Sequence, residues 1–155
     1  MNFDLNIYAD KIKNLKGFIK FFLNSKIQEG LIDIDNSKFS WGDDVDFSIM
    51  DSLIYVKDGE LILDGILDLT IKNSEEIYKF LLTPKNYRTE LKKVEVSFIY
   101  NFDQKIINLD NIRIDNKGNK EINEILKNLT FKSNGFQNKV YLKGILNKII
   151  MSYAG

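Results

Sequence analysis

Alternation of apolar and polar residues dominates this chain, broken by stretches with helical spacing. Phe3, Leu5 and Ile7 alternate as a short strand does. Ile12, Leu15, Phe18, Ile19, Phe22 and Leu23 then recur every three or four residues with lysines between, which predicts an amphipathic helix from about Ala9 to Asn24. Its apolar face is wide, so it is expected to pack on the rest of the fold. Gly30 ends the linker, and Leu31-Ile-Asp-Ile-Asp resumes alternation as far as Trp41-Gly42.

Val45, Phe47 and Ile49 share one parity while Ile54 and Val56 take the other. A bulge near Asp51 or Ser52 would keep both sets on one buried face. Lys57-Asp-Gly-Glu60 is a hairpin turn, because Asp-Gly tolerates the positive φ angles of tight turns. Leu61, Leu63, Gly65, Leu67, Leu69 and Ile71 then hold a single parity, with Glu60, Asp64, Asp68 and Lys72 opposite: a long strand with one oily face. Val94, Val96, Phe98, Tyr100 and Phe102 alternate again. After a turn at Asp103-Gln104, the parity change from Ile107 and Leu109 to Ile112 and Ile114 predicts a second bulge.

Four helical signals lie between and after the strands. Asn73 and Glu76 have capping-box spacing ahead of Ile77, Phe80 and Leu81. Thr83-Pro84 predicts a second short helix, with Thr83 as cap and Tyr87 and Leu91 on its face. Asn119 to Leu129 carries Ile122, Ile125, Leu126 and Leu129 at helical spacing, and Phe131 to Asn138 reads as a connection. Tyr141, Leu142, Ile145, Leu146, Ile149, Ile150 and Tyr153 trace one face of a C-terminal helix, with Lys139, Lys143 and Lys148 on the other. That helix reads either as a core or capping element or as an interfacial helix drawn to anionic lipid or to a partner. The order strand, Asp turn, long strand, helix occurs twice, near Tyr55 and near Tyr100, consistent either with duplication or with two similar hairpins.

Length and composition narrow the class. The 155 residues suit one α+β domain: a long-stranded, twisted antiparallel sheet of repeated hairpin-plus-helix units, with amphipathic helices on its apolar face. Twenty-two Lys and Arg balance 22 Asp and Glu, which speaks against nucleic acid as partner, because phosphate binding wants a cationic excess. Charge is segregated all the same: acids dominate from Glu29 to Asp68, and lysines from Lys117 onward. With no Cys, neither a disulfide framework nor a thiolate metal site is expected. With no His, the commonest general base and transition-metal ligand is missing too.

The segment Phe47-Ser-Ile-Met-Asp-Ser-Leu-Ile-Tyr-Val-Lys-Asp-Gly-Glu-Leu-Ile-Leu-Asp-Gly-Ile-Leu-Asp-Leu69 resembles the C-terminal region of AsmA-like proteins, with strands punctuated by Asp-Gly turns and glycines such as Gly65. Glu76-Ile-Tyr-Lys-Phe-Leu-Leu-Thr-Pro-Lys-Asn-Tyr-Arg88 is similar to a helical insertion of some bacterial members, and the resemblance runs roughly from Leu31 to Asp115. It implies a periplasmic-facing envelope protein tethered to the inner membrane, whose β-groove shelters lipid chains. This chain lacks that family's N-terminal anchor helix and most of the groove's length, so it would be the C-terminal fragment of a longer protein. Were the chain complete as written, a cytoplasmic location would be expected instead, since no secretory signal precedes it.

Candidate sites follow from these readings. The acidic run Trp41-Gly-Asp-Asp-Val-Asp46 matches no EF-hand loop and reads as a solvated turn rather than a metal site. Asp64 and Asp68 sit about 13 Å apart on one strand face, too far for paired glycosidase acids. No catalytic residue and no cofactor are expected, and enzyme activity is the least expected class, because only carboxylates, Lys and Tyr remain for acid-base work. The leading expectation is a non-catalytic envelope module in which Leu61, Leu63, Leu67, Leu69, Ile71, Val96, Phe98 and Tyr100 contact acyl chains or pack beneath helices. The alternative is a soluble interaction domain that binds a protein through a sheet edge or through the helix bearing Lys139, Lys143 and Lys148.

Overall fold

In the computed structural model, which describes residues 2–13, 15–127, 130–132 and 139–154, one mixed-length antiparallel sheet carries all the strands. They are β1 (Phe3–Lys11), β2 (Phe18–Gln28), β3 (Leu31–Asp33), β4 (Lys38–Trp41), β5 (Val45–Lys57), β6 (Glu60–Ile71), β7 (Lys93–Asn101), β8 (Ile106–Ile114), β9 (Lys117–Gly118) and β10 (Thr130–Lys132). Helices α1 (Ser74–Leu81), α2 (Lys120–Lys127) and α3 (Lys139–Ala154) complete the α+β fold. The sheet runs β1-β2-β3-β5-β6-β7-β8-β10, with β4 bridging β2 and β5, and β9 paired to β8.

Three bulges hold one face of this sheet apolar. Between Ile19 and Phe22 on β2, Met50 and Leu53 on β5, and Asp110 and Arg113 on β8, one extra residue enters the strand. At each place a residue takes the left-handed conformation: Lys20 at φ 56°, Asp51 at 49° and Asn111 at 49°. The effect is a reset of parity. Phe47 and Ile49 face Leu69 and Leu67, and beyond the bulge Ile54 and Val56 face Leu63 and Leu61 on the same side. On β8, Ile107 and Leu109 oppose Tyr100 and Phe98, and Ile114 opposes Val94. The expected bulges on β5 and β8 are therefore present where the parity changes.

Gly65 is tied to the β5 bulge. A Cβ there would lie 3.3 Å from the Met50 carbonyl oxygen and from Cα and Cβ of Ser52, so backbone rather than a flexible side-chain end would have to give. Ser52 in turn anchors the gap between β3 and β4. Its Oγ accepts the Ile34 N–H at 2.8 Å and donates to Asp35 at 2.6 Å, while the same Asp35 oxygen accepts the Ser52 N–H.

Tight turns set the remaining register. Glu29-Gly30, Asp58-Gly59 and Asp115-Asn116 are two-residue turns with positive φ at both positions, the geometry that matches strand twist. Asp115 does more than turn the chain: one carboxylate oxygen accepts the N–H groups of Lys92 and Lys93, and the other accepts the Tyr153 hydroxyl. The carboxylate thus joins β7, the β8–β9 turn and α3.

The helices hang from one end of the sheet. α1 follows the end of β6, and α2 follows β8 and β9, so both fold back beneath Val45, Ile71, Val96, Ile112 and Ile114. Tyr78, Leu81, Ile122, Leu126, Ile145, Ile149 and Ile150 close that core, each burial contributing about 1.5–3 kcal/mol. Buried Thr83 links α1 to α3, donating to Asn147, whose amide donates to the Leu81 carbonyl.

Several expectations are corrected. Ala9–Asn24 is not a helix: its described residues belong to β1, β2 and the connection between them, where Gly17 stands at φ +88° beside the Trp41 indole. Long-range pairing of β2 with β1, β3 and β4 overrides the local periodicity, in which Ile12 and Leu15 of the connection and Phe18, Ile19, Phe22 and Leu23 from both faces of β2 fall at three- and four-residue intervals. Leu31–Trp41 is two strands rather than one, broken at residues 34–37. The second helix after Thr83-Pro84 is a single 3-10 turn, Lys85–Tyr87, because the Tyr78 hydroxyl clamps the extended chain at Thr89 from both N–H and carbonyl. Asn73 occupies the N-cap of α1 without a side-chain cap bond, and Glu76 pairs with Lys79 instead. Both hairpin-plus-helix units are present, but the bulge lies on the first strand of one and the second strand of the other. For the helix expected at Asn119–Leu129, residues 128 and 129 lie outside the described residues, as does most of Phe131–Asn138.

Two outcomes are expected. Gly65→Ala should destabilise by about 1–3 kcal/mol, read as a lower urea midpoint, and an unchanged midpoint would contradict the crowding at the bulge. Burial, then Asp64 and Asp115 respectively, push the Tyr55 and Tyr153 hydroxyls above 10.0, and hydrogen bonds to Asp68 and Glu95 raise the Lys93 ammonium above 10.5. Groups raised on folding keep their protons longer in the native state, so their contribution is complete below the unfolded values and lost as pH rises through the folded ones. The urea midpoint should stay level to about pH 9.5 and fall from about pH 10 upward; a level profile to about pH 11 would contradict it.

Candidate functional site

The helices cover only part of the apolar face. On the side of β1, β2 and β4, the same face opens into a hollow of about 590 Å³, within the roughly 300–1,000 Å³ usual for small-molecule sites. Its floor is aromatic. Phe39 stacks on Phe47 at 4.6 Å and on Phe21 at 5.8 Å, and Phe18 lies 5.9 Å from both Phe39 and Phe47. Ile7, Ala9 and Leu23 form one wall, Ile49 continues the floor toward β6, and Ile12 and Leu15 reach in from the β1–β2 connection.

Local structure explains how these side chains meet. Ala9 pairs with Phe21 and Ile7 with Leu23, so β1 and β2 present one apolar side together. The bulge at Lys20 then brings Phe18 onto the side of Phe21, facing Phe39. Phe39 pairs with Phe47, and Phe47 with Leu69, which joins this floor to the covered core without a break.

Polar groups are nearly absent from the lining. Among the described residues, Ser37 and Lys38 are the only polar ones there. Buried Ser37 is already committed: its Oγ accepts the Asn24 N–H at 3.0 Å and donates to the Asn24 carbonyl at 3.2 Å. Such a hollow can remove hydrocarbon from water but has little with which to orient a polar ligand. Where the floor meets the helices, Trp41 packs edge-on against Phe80 at 5.1 Å, and the Lys143 ammonium sits 4.2 Å above the Phe80 ring.

The residues proposed from sequence divide into three groups. Ile71, Val96 and Phe98 are buried, the first two within the core under the helices. Leu67 and Leu69 are half-buried against that core. Leu61 is exposed, and Leu63 and Tyr100 are half-buried, on the stretch of the face beyond the core cluster. None of the eight lines the hollow. The actual lining was hidden by the helical reading of 9–24. Its available signals were the Phe3, Leu5, Ile7, Ala9 alternation running past Ile7, and the aromatic-rich Phe18-Ile-Lys-Phe-Phe22 after a glycine.

The helix with Lys139, Lys143 and Lys148 directs Ile145, Ile149 and Ile150 into the core, so its oily side is already occupied. Lys148 is exposed, Lys143 is held by Phe80, and the Lys139 side chain lies outside the described residues. In the acidic turn the carboxylates diverge, with Asp43 pairing Lys20 and Asp46 pairing Lys72 at 2.7 Å. The Lys72 hydrogen bond holds the Asp46 carboxyl below its usual range, with Ser40 adding a second. Among the described residues no three acidic side chains converge as metal ligands would, and no helix is long and apolar enough to cross a membrane.

Comparison with protein-family profiles, curated proteins and solved structures finds no significant match to this chain.

Ser37→Ala should lower stability by about 1–3 kcal/mol, because the Asn24 N–H loses its only side-chain partner at a buried strand junction. A melting midpoint equal to that of the parent chain would contradict this account of the groove wall.

Proposed function

We propose that the chain is a non-catalytic binding module that shelters the acyl chains of lipids along its uncovered apolar face. One observation carries this reading: a hollow of about 590 Å³ floored by Phe18, Phe21 and Phe39, with only Ser37 and Lys38 as polar lining among the described residues. The driving force is removal of hydrocarbon from water, roughly 25 cal/mol for each Å² buried, which rewards long chains and discriminates weakly between head groups. The apolar floor continues from Phe39 through Phe47 and Ile49 to Leu67 and Leu63, so an extended guest can lie across several strands. Taken with the resemblance to AsmA-like proteins, the proposal includes work in the bacterial envelope: holding phospholipid tails during transfer or supporting outer-membrane upkeep.

The test is binding of a fluorescent single-chain fatty acid, with native mass spectrometry of the freshly purified chain for co-purifying lipid. Ile7 is 48% and Leu23 37% exposed, so Ile7→Glu and Leu23→Glu should fold while placing charge in the hollow. Each is expected to weaken the probe at least about tenfold, equal to 1.4 kcal/mol, whereas Lys148→Ala should leave it unchanged. Binding insensitive to both glutamates, or no binding at all, would overturn the reading.

A further inference from the structure

Strand β1 is the outer strand of the sheet. Among the described residues it pairs with β2 alone, and its nine residues leave one full row of backbone donors and acceptors without a sheet partner. Long outer strands normally carry a device against further pairing, such as a proline, a bulge, inward charge or brevity. β1 has no proline, no bulge and a straight register along β2; its only lysine is the last residue, Lys11. Phe3, Leu5 and Ile7 stand 39–48% exposed on the side that continues into the hollow, and Tyr8 stands 75% exposed on the other side. Such a strand is built to accept another.

The strand's own sequence says which one. For two antiparallel copies, directly opposed residues share a face, so only registers that match apolar with apolar keep one oily side. With Asn6 opposite Asn6, Phe3 meets Ala9, Leu5 meets Ile7, Asp4 meets Tyr8 and Asn2 meets Asp10. Every carboxylate then faces a neutral hydrogen-bond donor. Sliding by one pair to put Ile7 on the axis sets Asp4 against Asp10, a like-charge contact. Sliding the other way, to Leu5, shortens the overlap within β1 from seven residues to five. Centring on Tyr8 would set Lys11 against Leu5, so the self-match about Asn6 is, within β1, the longest that opposes no like charges and sets no lysine against an apolar residue.

We infer that two copies of this chain associate through β1, antiparallel and centred on Asn6, to form one continuous sheet across a twofold axis. An in-plane match of this kind requires the axis to stand perpendicular to the sheet. Both apolar faces then lie on the same side, and the Phe3, Leu5 and Ile7 rows of the two copies join the two hollows into one trough. The pairing is independent of whether the hollow holds lipid, since backbone and side chains of β1 alone define it.

Because the chain has no native cysteine, the register can be read directly. Opposed residues in an antiparallel pair lie about 4.5–5.5 Å apart at Cα, within disulfide range, whereas residues four positions off register lie about 13 Å apart. Sedimentation of the parent chain from about 1 to 200 µM should show dimer, and mild oxidation should cross-link Asn6→Cys but not Asp4→Cys. The double variant Asp4→Cys/Tyr8→Cys should cross-link again. Leu5→Lys/Ile7→Lys, at positions already exposed in the single chain, should remain folded by circular dichroism and sediment as monomer. A monomeric parent chain throughout that range would overturn the inference. So would a dimer in which Asp4→Cys cross-links as readily as Asn6→Cys, or one that survives the two lysines.

Discussion

Keeping a single face of a ten-stranded sheet apolar is the constraint on which the rest of this structure depends. A regular strand alternates faces at every residue, so a change of parity in the sequence would turn half of its leucines and isoleucines toward water. The chain answers with one left-handed residue at each change: Lys20, Asp51 and Asn111. Each such residue costs roughly 1–2 kcal/mol. Without Asn111, either Ile107 and Leu109 or Ile112 and Ile114 would leave the oily side, forfeiting roughly 1.5–3 kcal/mol for each side chain. The bulge wins on magnitude.

That face serves two ends in different places. Toward the junctions of β6 with α1 and of β8 with β9, the helices bury it, and Val45, Ile114, Ile122 and Leu126 are nearly inaccessible. Toward β1 and β2 nothing in the described chain covers it, and aromatic rings line an open hollow instead. Stability and binding therefore draw on one continuous surface, with Phe47 and Leu69 at the boundary. Substitutions at that boundary affect both, whereas those near Leu23 affect mainly the hollow.

Much of the fold is legible in the sequence, for reasons that can be named. Long strands with strict alternation, such as β6, announce themselves, and the parity breaks near Asp51 and after Leu109 locate two bulges from sequence alone. Asp58-Gly59 marks its turn through backbone chemistry alone. The first hairpin is less legible because its information is not local. Apolar side chains on both faces of β2 combine with Ile12 and Leu15 of the connection into three- and four-residue intervals that imitate a helix, and only pairing with β1, β3 and β4 reveals the strand. Glu29-Gly30 and Asp115-Asn116 were equally open to reading as turns, but lack the Asp-Gly signature. The candidate groove is hard to read for the same reason: most of its lining lies within residues 9–24, whereas the leucines of β6 point to a face partly taken by helices.

The most direct measurement is methyl NMR of the chain with a soluble paramagnetic agent, which broadens signals according to their access to solvent. The account predicts strong broadening at Ile7, Leu23 and Leu61, and little at Ile71, Val96, Ile114 and Leu126, even though both sets lie on one side of the sheet. Equal protection of the two sets, or broadening of the second, would contradict a single apolar face divided between a covered core and an open groove.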